Sequence, residues 1–164
     1  MRFWHKLQTQ KDLNRNLVAI IIFVAVYFFC VYTIGHPCIN LDKSLTGKLY
    51  WAIPYHGIRQ GDIVVFKFRG SRYFPRGAMF IKKVACLPGQ KLIEENRCFT
   101  CDGKPIGCAK KTDKLGNPAP LFKYRGIIPP GKYFVVGTSK NSYDSKYWGF
   151  VDIGDIKEKA YRLF

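Results

Sequence analysis

Histidine is scarce in this sequence, and this scarcity narrows the kinds of site that the chain can build. Only three histidines occur among 164 residues. His36 and His56 lie next to an apolar run and a proline-containing turn, where nothing marks either as a general base. A serine–histidine–aspartate arrangement is therefore disfavoured.

Acidic residues are also few, since 11 Asp and Glu stand against 27 Lys and Arg, a formal net charge of +16. Such a balance favours an acidic partner, either anionic lipid head groups or nucleic acid. Nucleic acid is the disfavoured partner, because the sequence has no recognised nucleic-acid-binding motif. The 48% hydrophobic and 16% aromatic content excludes a disordered chain and predicts a packed core, in a length that allows one domain.

Residues 17–34 (LVAIIIFVAVYFFCVYTI) form a run of 18 residues without a charged side chain. As a helix this run would be about 27 Å long, enough to span the hydrocarbon core of a bilayer. A cleaved signal peptide is disfavoured because the following residues 35–38 (GHPC) offer no small-residue cleavage site. A buried helix of a soluble protein is disfavoured because the run has no polar face. We therefore predict a transmembrane signal anchor over residues 17–34.

The charges before this run predict its orientation. In residues 1–16, four basic residues minus Asp12 give +3, which favours a cytoplasmic N-terminus. Long domains cross the membrane largely regardless of charge, so residues 36–164 are expected outside the cytoplasm. The prediction is a single-pass protein of a bacterial inner membrane, with a periplasmic domain and lipid as a partner.

Six cysteines fit an oxidising compartment. Cys30 lies in the apolar run and is expected to pack there. Cys98, Cys101 and Cys108 form a cluster, but three thiols without a nearby histidine are too few for structural zinc, which takes four ligands. We expect no metal, no cofactor and one disulfide within this cluster. The sequence leaves the pairing open among Cys38, Cys86, Cys98, Cys101 and Cys108.

Short β segments separated by Gly and Pro turns follow the apolar run and predict a mainly β domain. Strands are predicted over residues 61–68, 79–86 and 132–137. The segment 155–164 could be a strand or a short helix. Residues 96–126, rich in Cys, Gly, Lys and Pro, are predicted to be an irregular insertion.

A lysine could replace histidine as the base that activates Ser44. A serine hydroxyl is a poor nucleophile at neutral pH unless a base accepts its proton. A free lysine has a pKa of about 10.4, so it can be that base only where burial favours its neutral form. Lys82 and Lys83 lie in an apolar segment, where strand alternation would point one inward and the other to solvent. Two solvated lysines on an edge strand remain the alternative.

Three motifs follow the apolar run in order, namely residues 42–46 (DKSLT), 81–89 (IKKVACLPG) and 141–149 (NSYDSKYWG). With residues 44–50 (SLTGKLY) and 61–66 (GDIVVF), they resemble the type I signal peptidase clan, and within it the TraF-type peptidases of conjugative transfer. The resemblance covers most of residues 36–155, with 96–126 outside it. It implies a signal-peptidase-like antiparallel β domain behind one membrane helix, and peptide-bond cleavage by a serine and a lysine.

The resemblance also implies roles for single residues. Ser44 would be the nucleophile and Lys82 its general base. Ser142 would orient the lysine, and Asp144 would support the site by a salt bridge or act as a third catalytic member. Lys146 stands where the clan has an arginine, so a bidentate pair with the aspartate is not expected.

Other positions depart from the clan's pattern. Asp42 stands where bacterial signal peptidases have a serine that helps to bind the oxyanion. A carboxylate cannot serve there, so the backbone N–H of Ser44 is expected to carry more of that role. Thr46, Lys48 and Gln90 replace the Pro, Gly and Asp of the pattern.

The implied substrate is a membrane-bound precursor, either a conjugative propilin or another exported protein. Its chain would add as a strand to an edge near residues 79–84, at Met79, Phe80 and Ile81. The apolar stretch 50–54 (YWAIP) is either core or a patch at the membrane interface. Hydrolysis and pilin cyclisation both stay open, as does the oligomeric state.

Two other interpretations remain. A non-catalytic anchored assembly protein of a secretion or conjugation apparatus would keep the β domain and the basic surface, but it needs none of Ser44, Lys82 and Asp144. A general signal peptidase is the alternative within the enzyme class, and the short length and the serine motif favour the conjugation type.

Overall fold

The computed structural model describes residues 2–41 and 44–164, with side chains from residue 11 onward. The chain divides into two compact units, of which the first ends at His36 and the second runs from Pro37 to Phe164.

The first unit consists of helix α1 (Arg2–Ile34). Within it, Lys11–Ile34 is 24 residues long with a mean hydropathy of 2.8, long and apolar enough to cross a membrane. The helix ends at Gly35, whose φ of 93° is one that glycine adopts easily and whose N–H donates to Val31 O at 3.1 Å. The apolar run noted in the sequence lies inside α1, and it fits a membrane anchor.

The second unit is built mainly from short strands. In chain order these are β1 (His36–Ile39), β2 (Leu49–Ile53), β3 (Ile63–Lys67), β4 (Met79–Cys86), β5 (Lys91–Glu95), β6 (Cys98–Cys101), β7 (Lys104–Cys108), β8 (Arg125–Ile127), β9 (Lys132–Val136), β10 (Val151–Asp152) and β11 (Ile156–Arg162). A short helix α2 (Ser145–Trp148) follows β9, and a 3-10 turn (Ile153–Asp155) precedes β11. The mainly β architecture expected from the sequence is confirmed.

The strands form two sheets. The larger sheet has seven strands in the order β1-β2-β11-β3-β4-β9-β10, and every pair from β2 to β10 is antiparallel. The smaller sheet has four antiparallel strands in the order β7-β6-β5-β8. The predicted strands at 61–68, 79–86 and 132–137 correspond to β3, β4 and β9. The undecided segment 155–164 is largely strand β11.

The prediction that residues 96–126 are irregular is wrong for their first part, which contains β6 and β7. Phe99 and Cys101 of β6 are buried while Cys98 is exposed, so the segment carries the alternation of a half-buried strand. Its Gly and Lys content, together with the tight turn at Asp102–Gly103, obscured that alternation. Between β7 and β8 the chain does lack regular strands, apart from a bridge between Thr112 and Pro118.

The structure has two disulfides, and one of them confirms the prediction of a single disulfide within the cysteine cluster. Cys98–Cys108 lies within the predicted cluster and joins directly opposed residues of β6 and β7. Cys86–Cys101 joins β4 of the larger sheet to β6 of the smaller one. Among the residues from 11 to 41 and from 44 on, Cys30 and Cys38 are the free cysteines.

Three clusters of buried side chains form the core. One lies among β3, β4, β9, β10 and β11, and a second joins β4 and β9 to the smaller sheet. The third contains side chains of β2, β3, β4 and β11 together with Leu45. Within β2, Tyr50 and Ala52 are fully buried and Trp51 is half-buried, so alternate residues of the stretch 50–54 belong to the core. The third cluster holds Leu45 and Ile81, the neighbours in sequence of Ser44 and Lys82.

Candidate active site

Strand β4 buries one of its two adjacent lysines. Lys82 is only 1% exposed, whereas Lys83 faces solvent, as the alternation of a strand requires. β4 lies between β3 and β9, so the edge-strand interpretation does not hold for Lys82. The Lys82 amine is thereby removed from solvent.

Ser44 lies in the turn before β2 and is also only 1% exposed. Lys82 Nζ donates a hydrogen bond to Ser44 Oγ across 2.5 Å. The ring of Phe80 lies beside the amine, with its centroid 5.3 Å from Lys82 Nζ. A serine hydroxyl in direct contact with a buried amine is an arrangement in which the amine can accept the hydroxyl proton.

Backbone contacts hold the Ser44 turn against the segment that follows β9. Ser139 N–H donates to Ser44 O at 3.1 Å, and Thr46 N–H donates to Thr138 Oγ1 at 3.0 Å. Both bonds fix the main chain on the carboxyl side of the Ser44 Cα. The serine can therefore keep its position relative to β4 without a ligand.

The side chains of Asn40 and Tyr50 complete this support. The amide of Asn40 donates to Leu45 O and Gly47 O at 3.5 and 3.4 Å, and Tyr50 OH donates to Thr46 O at 2.6 Å. Burial raises the pKa of the Tyr50 phenol, against a smaller lowering effect of Arg162, so the phenol stays a donor. Tyr50 ends the motif 44–50, whereas Asn40 belongs to no motif and only the folded contacts reveal its role.

Gly137 has no side chain, so Ser142 and the main chain of Ser44 can both lie close to it. A Cβ at this position would lie 2.1 Å from Ser142 Oγ and 2.5 Å from Ser44 O. Ser142 is buried, and its Oγ has no hydrogen-bond partner among the described residues. The sequence marked Gly137 only as a strand end, since a requirement for close approach cannot be read from one sequence.

Asp144 and Lys146 form a buried ion pair next to this turn. Asp144 Oδ2 accepts from Lys146 Nζ at 2.8 Å and from Gly137 N–H at 3.0 Å, and Oδ1 accepts from Lys146 N–H at 3.2 Å. The carboxylate thereby caps the N-terminus of α2 and also fixes the end of β9. The single amine contact is the geometry of a lysine rather than the fork of an arginine.

The proposed substrate-binding residues lie at the start of β4. Met79 is half-exposed, Phe80 is partly buried and Ile81 is buried in the third core cluster. β3 pairs with β4 along Met79–Lys83, but β9 pairs with it only between Lys83 and Cys86. On its β9 side, the first half of β4 therefore has no strand partner within residues 44–164.

Asp42 lies outside the described residues, so the expectation about the oxyanion stays a prediction. In the part of the chain that is described, no three His, Cys, Asp or Glu side chains come together as metal ligands.

The pattern of residues along the chain matches a known family. The family model described as "Signal peptidase, peptidase S26" matches residues 11–164, from within α1 to the end of the chain. This chain belongs to the S26 signal peptidase family. The family is a class of serine peptidases, and its members act on exported precursor proteins.

Relatives of this S26 chain include proteins named signal peptidase I and a conjugal transfer protein. It is 32% identical over 116 residues to a protein named "Probable signal peptidase I-1" from Synechocystis sp., covering 67% of this chain and 57% of that protein. It is 36% identical over 74 residues to "Conjugal transfer protein TraF" from Agrobacterium fabrum, covering 44% of this chain and 41% of that protein. The chain thus spans about half the length of these curated relatives.

A crystal structure of a signal peptidase I from Enterococcus faecalis is similar at 20% sequence identity and a TM-score of 0.42. The match covers 63% of this chain and 97% of that one.

Proposed function

We propose that this S26 chain is a membrane-anchored serine endopeptidase that cleaves the leader from a membrane-bound precursor. Ser44 would be its nucleophile and Lys82 its general base. The observation that carries the proposal is the 2.5 Å hydrogen bond between these two side chains, each of them 1% exposed. Burying a lysine amine against a serine has a cost in stability, and a scaffold protein would have no use for it.

The reaction follows from this geometry. As Ser44 Oγ attacks the scissile carbonyl carbon, its proton passes to Lys82 Nζ. The resulting ammonium gives the proton to the leaving amine when the peptide C–N bond breaks, which leaves an acyl-enzyme ester and a neutral lysine. Lys82 then accepts a proton from a water molecule, whose oxygen attacks the ester and releases the new carboxylate and Ser44.

The backbone N–H of Ser44 is the group we assign to the developing oxyanion. Preorganised N–H donors stabilise the negative charge of a tetrahedral intermediate. The contacts of Ser139, Thr138 and Asn40 with the turn support this assignment, because they hold its main chain in place before substrate arrives. Asp42, close by in sequence, is not expected to contribute a donor.

Ser142 and Asp144 act as positioning residues in this proposal. The buried Ser142 hydroxyl is available as an acceptor for the lysine once Lys82 carries the proton. Asp144 acts through the turn, since its bonds to Gly137 and Lys146 hold the segment that carries Ser142.

The substrate would extend the larger sheet. A peptide in β conformation can pair with the unpartnered side of β4 at Met79, Phe80 and Ile81, which would bring the scissile bond to Lys82 and Ser44. The similarity to a conjugal transfer protein supports a propilin as the precursor. Release of the acyl-enzyme by the amine of the pilin itself would give a cyclic product instead of a linear one.

Helix α1 would serve as the anchor, with its N-terminus in the cytoplasm and the β domain in the periplasm. Its length and hydropathy support a membrane-spanning role, and the basic residues before the apolar run support this orientation.

The decisive experiment compares four forms of the full chain in bacterial membranes: wild type, Ser44→Ala, Lys82→Met and Lys83→Met. A candidate propilin is co-expressed, and its mass is measured by mass spectrometry. We expect Ser44→Ala and Lys82→Met to abolish processing to a similar degree, because members of one catalytic unit are not additive. Lys83→Met is the matched control and should process normally, since its side chain faces solvent.

Normal processing by both Ser44→Ala and Lys82→Met would overturn the catalytic assignment and favour the non-catalytic assembly protein. A wild type that leaves the propilin intact but shortens other exported precursors would favour the general signal peptidase. The mass of a processed pilin distinguishes hydrolysis from cyclisation by one water molecule.

A further inference from the structure

A cleft of about 770 Å³ borders the segment after β9 that bonds to Ser44, and no step of the reaction above takes place in it. It lies within the second unit. Its lining comes from the loop between β3 and β4, the loop between β7 and β8, and the segment after β9. Ser139 and Ser142 are part of that lining, and Ser139 is bonded to Ser44 O. The cleft therefore shares with the proposed active site the segment that holds Ser44.

Aromatic rings form one wall of this cleft. Tyr143 stacks on Phe74 with centroids 5.7 Å apart and on Tyr147 with centroids 5.5 Å apart. Tyr73 meets Tyr143 edge-on at 5.1 Å. Together these rings offer an apolar surface that stays partly open to solvent, with Phe74 39% exposed. Such a surface suits a large apolar or aromatic side chain.

The opposite wall is the loop 109–121, which side-chain contacts hold in one conformation. Arg97 donates to the carbonyl oxygens of Ala109, Ala119 and Pro120 at 3.2 to 3.4 Å, and so joins the two ends of the loop. The cleft is thus walled before any ligand binds.

Asp113 orders the tip of the same loop. Its carboxylate accepts from the N–H groups of Leu115 and Asn117 at 2.9 Å and from Tyr73 OH at 2.9 Å. The last bond ties the tip to the aromatic wall across the cleft. Leu115, at this tip, lines the cleft and is 86% exposed.

The start of β4 lies next to the aromatic wall of the cleft. Phe80 touches Phe74 with ring centroids 5.0 Å apart, so the aromatic wall begins at the start of β4. At about 3.3 Å per residue, Met79 lies about 10 Å along the strand from Lys82. A chain paired with the open side of β4 and continuing past Met79 would enter the cleft about four to six residues from its scissile bond.

We propose that this cleft is a remote subsite of the enzyme, which binds one large apolar or aromatic side chain of the polypeptide substrate, about four to six residues from the scissile bond. The inference rests on the proposed function for its substrate class. In this proposal, the loops that line the cleft determine substrate specificity in addition to the residues of β4 next to the scissile bond.

The test uses the full chain in detergent with Ser44→Ala as background, so that binding is measured without turnover. The probes are labelled peptides of Ala and Ser with a single Phe placed four, five or six residues from the centre on either side. An all-Ala/Ser peptide is the reference, and fluorescence polarisation gives each Kd. We expect Phe at one of these positions to tighten binding about tenfold over the reference, as one well-placed apolar side chain can.

Two further substitutions locate the effect. Phe74→Ala and Leu115→Asp should each reduce the tenfold preference to about one, and the exposed Leu115 makes the second variant safe for folding. Ile127→Ala is the matched control, because Ile127 is an apolar residue of β8, 57% exposed, that does not line the cleft. It should keep the full preference.

A lack of preference at all six positions would overturn the subsite, as would a preference that survives both cleft variants. A parallel assay with wild-type Ser44 separates this outcome from failure of the proposed function. If the Phe peptide binds selectively but is never cleaved, the subsite stands and the peptidase proposal fails. If all peptides are cleaved alike and bind alike, the peptidase proposal stands and the subsite fails.

Discussion

Lys82 and Lys83 are adjacent in sequence, yet one is buried beside a serine and the other faces solvent. The difference arises from the alternation of β4 and not from any difference in side-chain chemistry. Exchanging the environments would need a shift of one residue in register with β3, which would also expose the buried Val84. The packing of the sheet therefore selects which lysine can act as a base.

We expect the cleavage rate to rise from acidic to alkaline pH, because only the neutral amine of Lys82 can accept the proton of Ser44. Measuring kcat/KM across this range with a cleaved peptide tests it. Lys83→Met should show the same profile. A rate that is independent of pH would argue against Lys82 as the base.

Gly137→Ala should damage the site without touching either Ser44 or Lys82 directly. The new Cβ would meet Ser142 Oγ and Ser44 O at 2.1 and 2.5 Å, so the turn must move. A displacement of about 1 Å can lower kcat about a hundredfold. The control is Gly154→Ala, where a Cβ meets nothing within 4 Å. Equal turnover by the two variants would show that activity does not depend on the close contact of Gly137 with Ser142 and Ser44.

Among the elements, the segment from the end of β9 through α2 connects the buried ion pair to the active site. The N–H of Gly137 donates to the Asp144 carboxylate, and the N–H of Ser139 donates to Ser44 O. Ser145 Oγ accepts from Val135 N–H at 3.0 Å. One short element thus contacts both the central sheet and the proposed nucleophile. A disturbance of the ion pair should therefore reach Ser44 through the turn.

Lys146→Met should destabilise the domain, because it leaves the Asp144 carboxylate buried without its cation. Removing one partner of a buried pair costs about 3–5 kcal/mol. Urea unfolding of the detergent-solubilised chain measures this change. Lys146→Arg keeps the charge and should lose far less. If the Met variant unfolds at the wild-type urea concentration, the ion pair has no structural role.

The sequence predicted the parts of the fold and site that depend on local pattern. The strand β4 is predicted from an apolar run that lies between turn residues. The roles of Ser44 and Lys82 are predicted from short motifs of adjacent residues. Asn40 and Gly137 were missed because their roles depend on contacts with residues distant in sequence. The smaller sheet was missed because its strands are short and interrupted by turn residues, which weakens the periodic signal.

For the whole second unit, the disulfide Cys86–Cys101 connects the strand that carries Lys82 to the smaller sheet. The second core cluster spans the same junction. The smaller sheet is therefore attached to the larger one both by packing and by a covalent bond. The oxidising compartment inferred from the cysteine content is consistent with both disulfides.

Removing this connection should lower stability. The double variant Cys86→Ser and Cys101→Ser opens a loop with a sequence separation of 15 residues, which corresponds to about 3 kcal/mol of unfolded-state entropy. Under oxidising conditions the melting temperature of the variant should be lower than that of the wild type. A reducing agent should lower it only by the further contribution of the remaining disulfide Cys98–Cys108. An unchanged melting temperature would show that packing alone holds the two sheets together.

The incomplete pairing of β4 has a consequence for when a precursor is cut. A strand edge recognises a peptide through its main-chain groups, and these groups are accessible only while that peptide has not satisfied them elsewhere. A segment already coiled into a helix, or already part of another sheet, offers nothing for β4 to pair with. Under the proposed function, cleavage is therefore governed by the folding state of the precursor around its cleavage point. Divergent sequences can be accepted there, provided that they arrive extended.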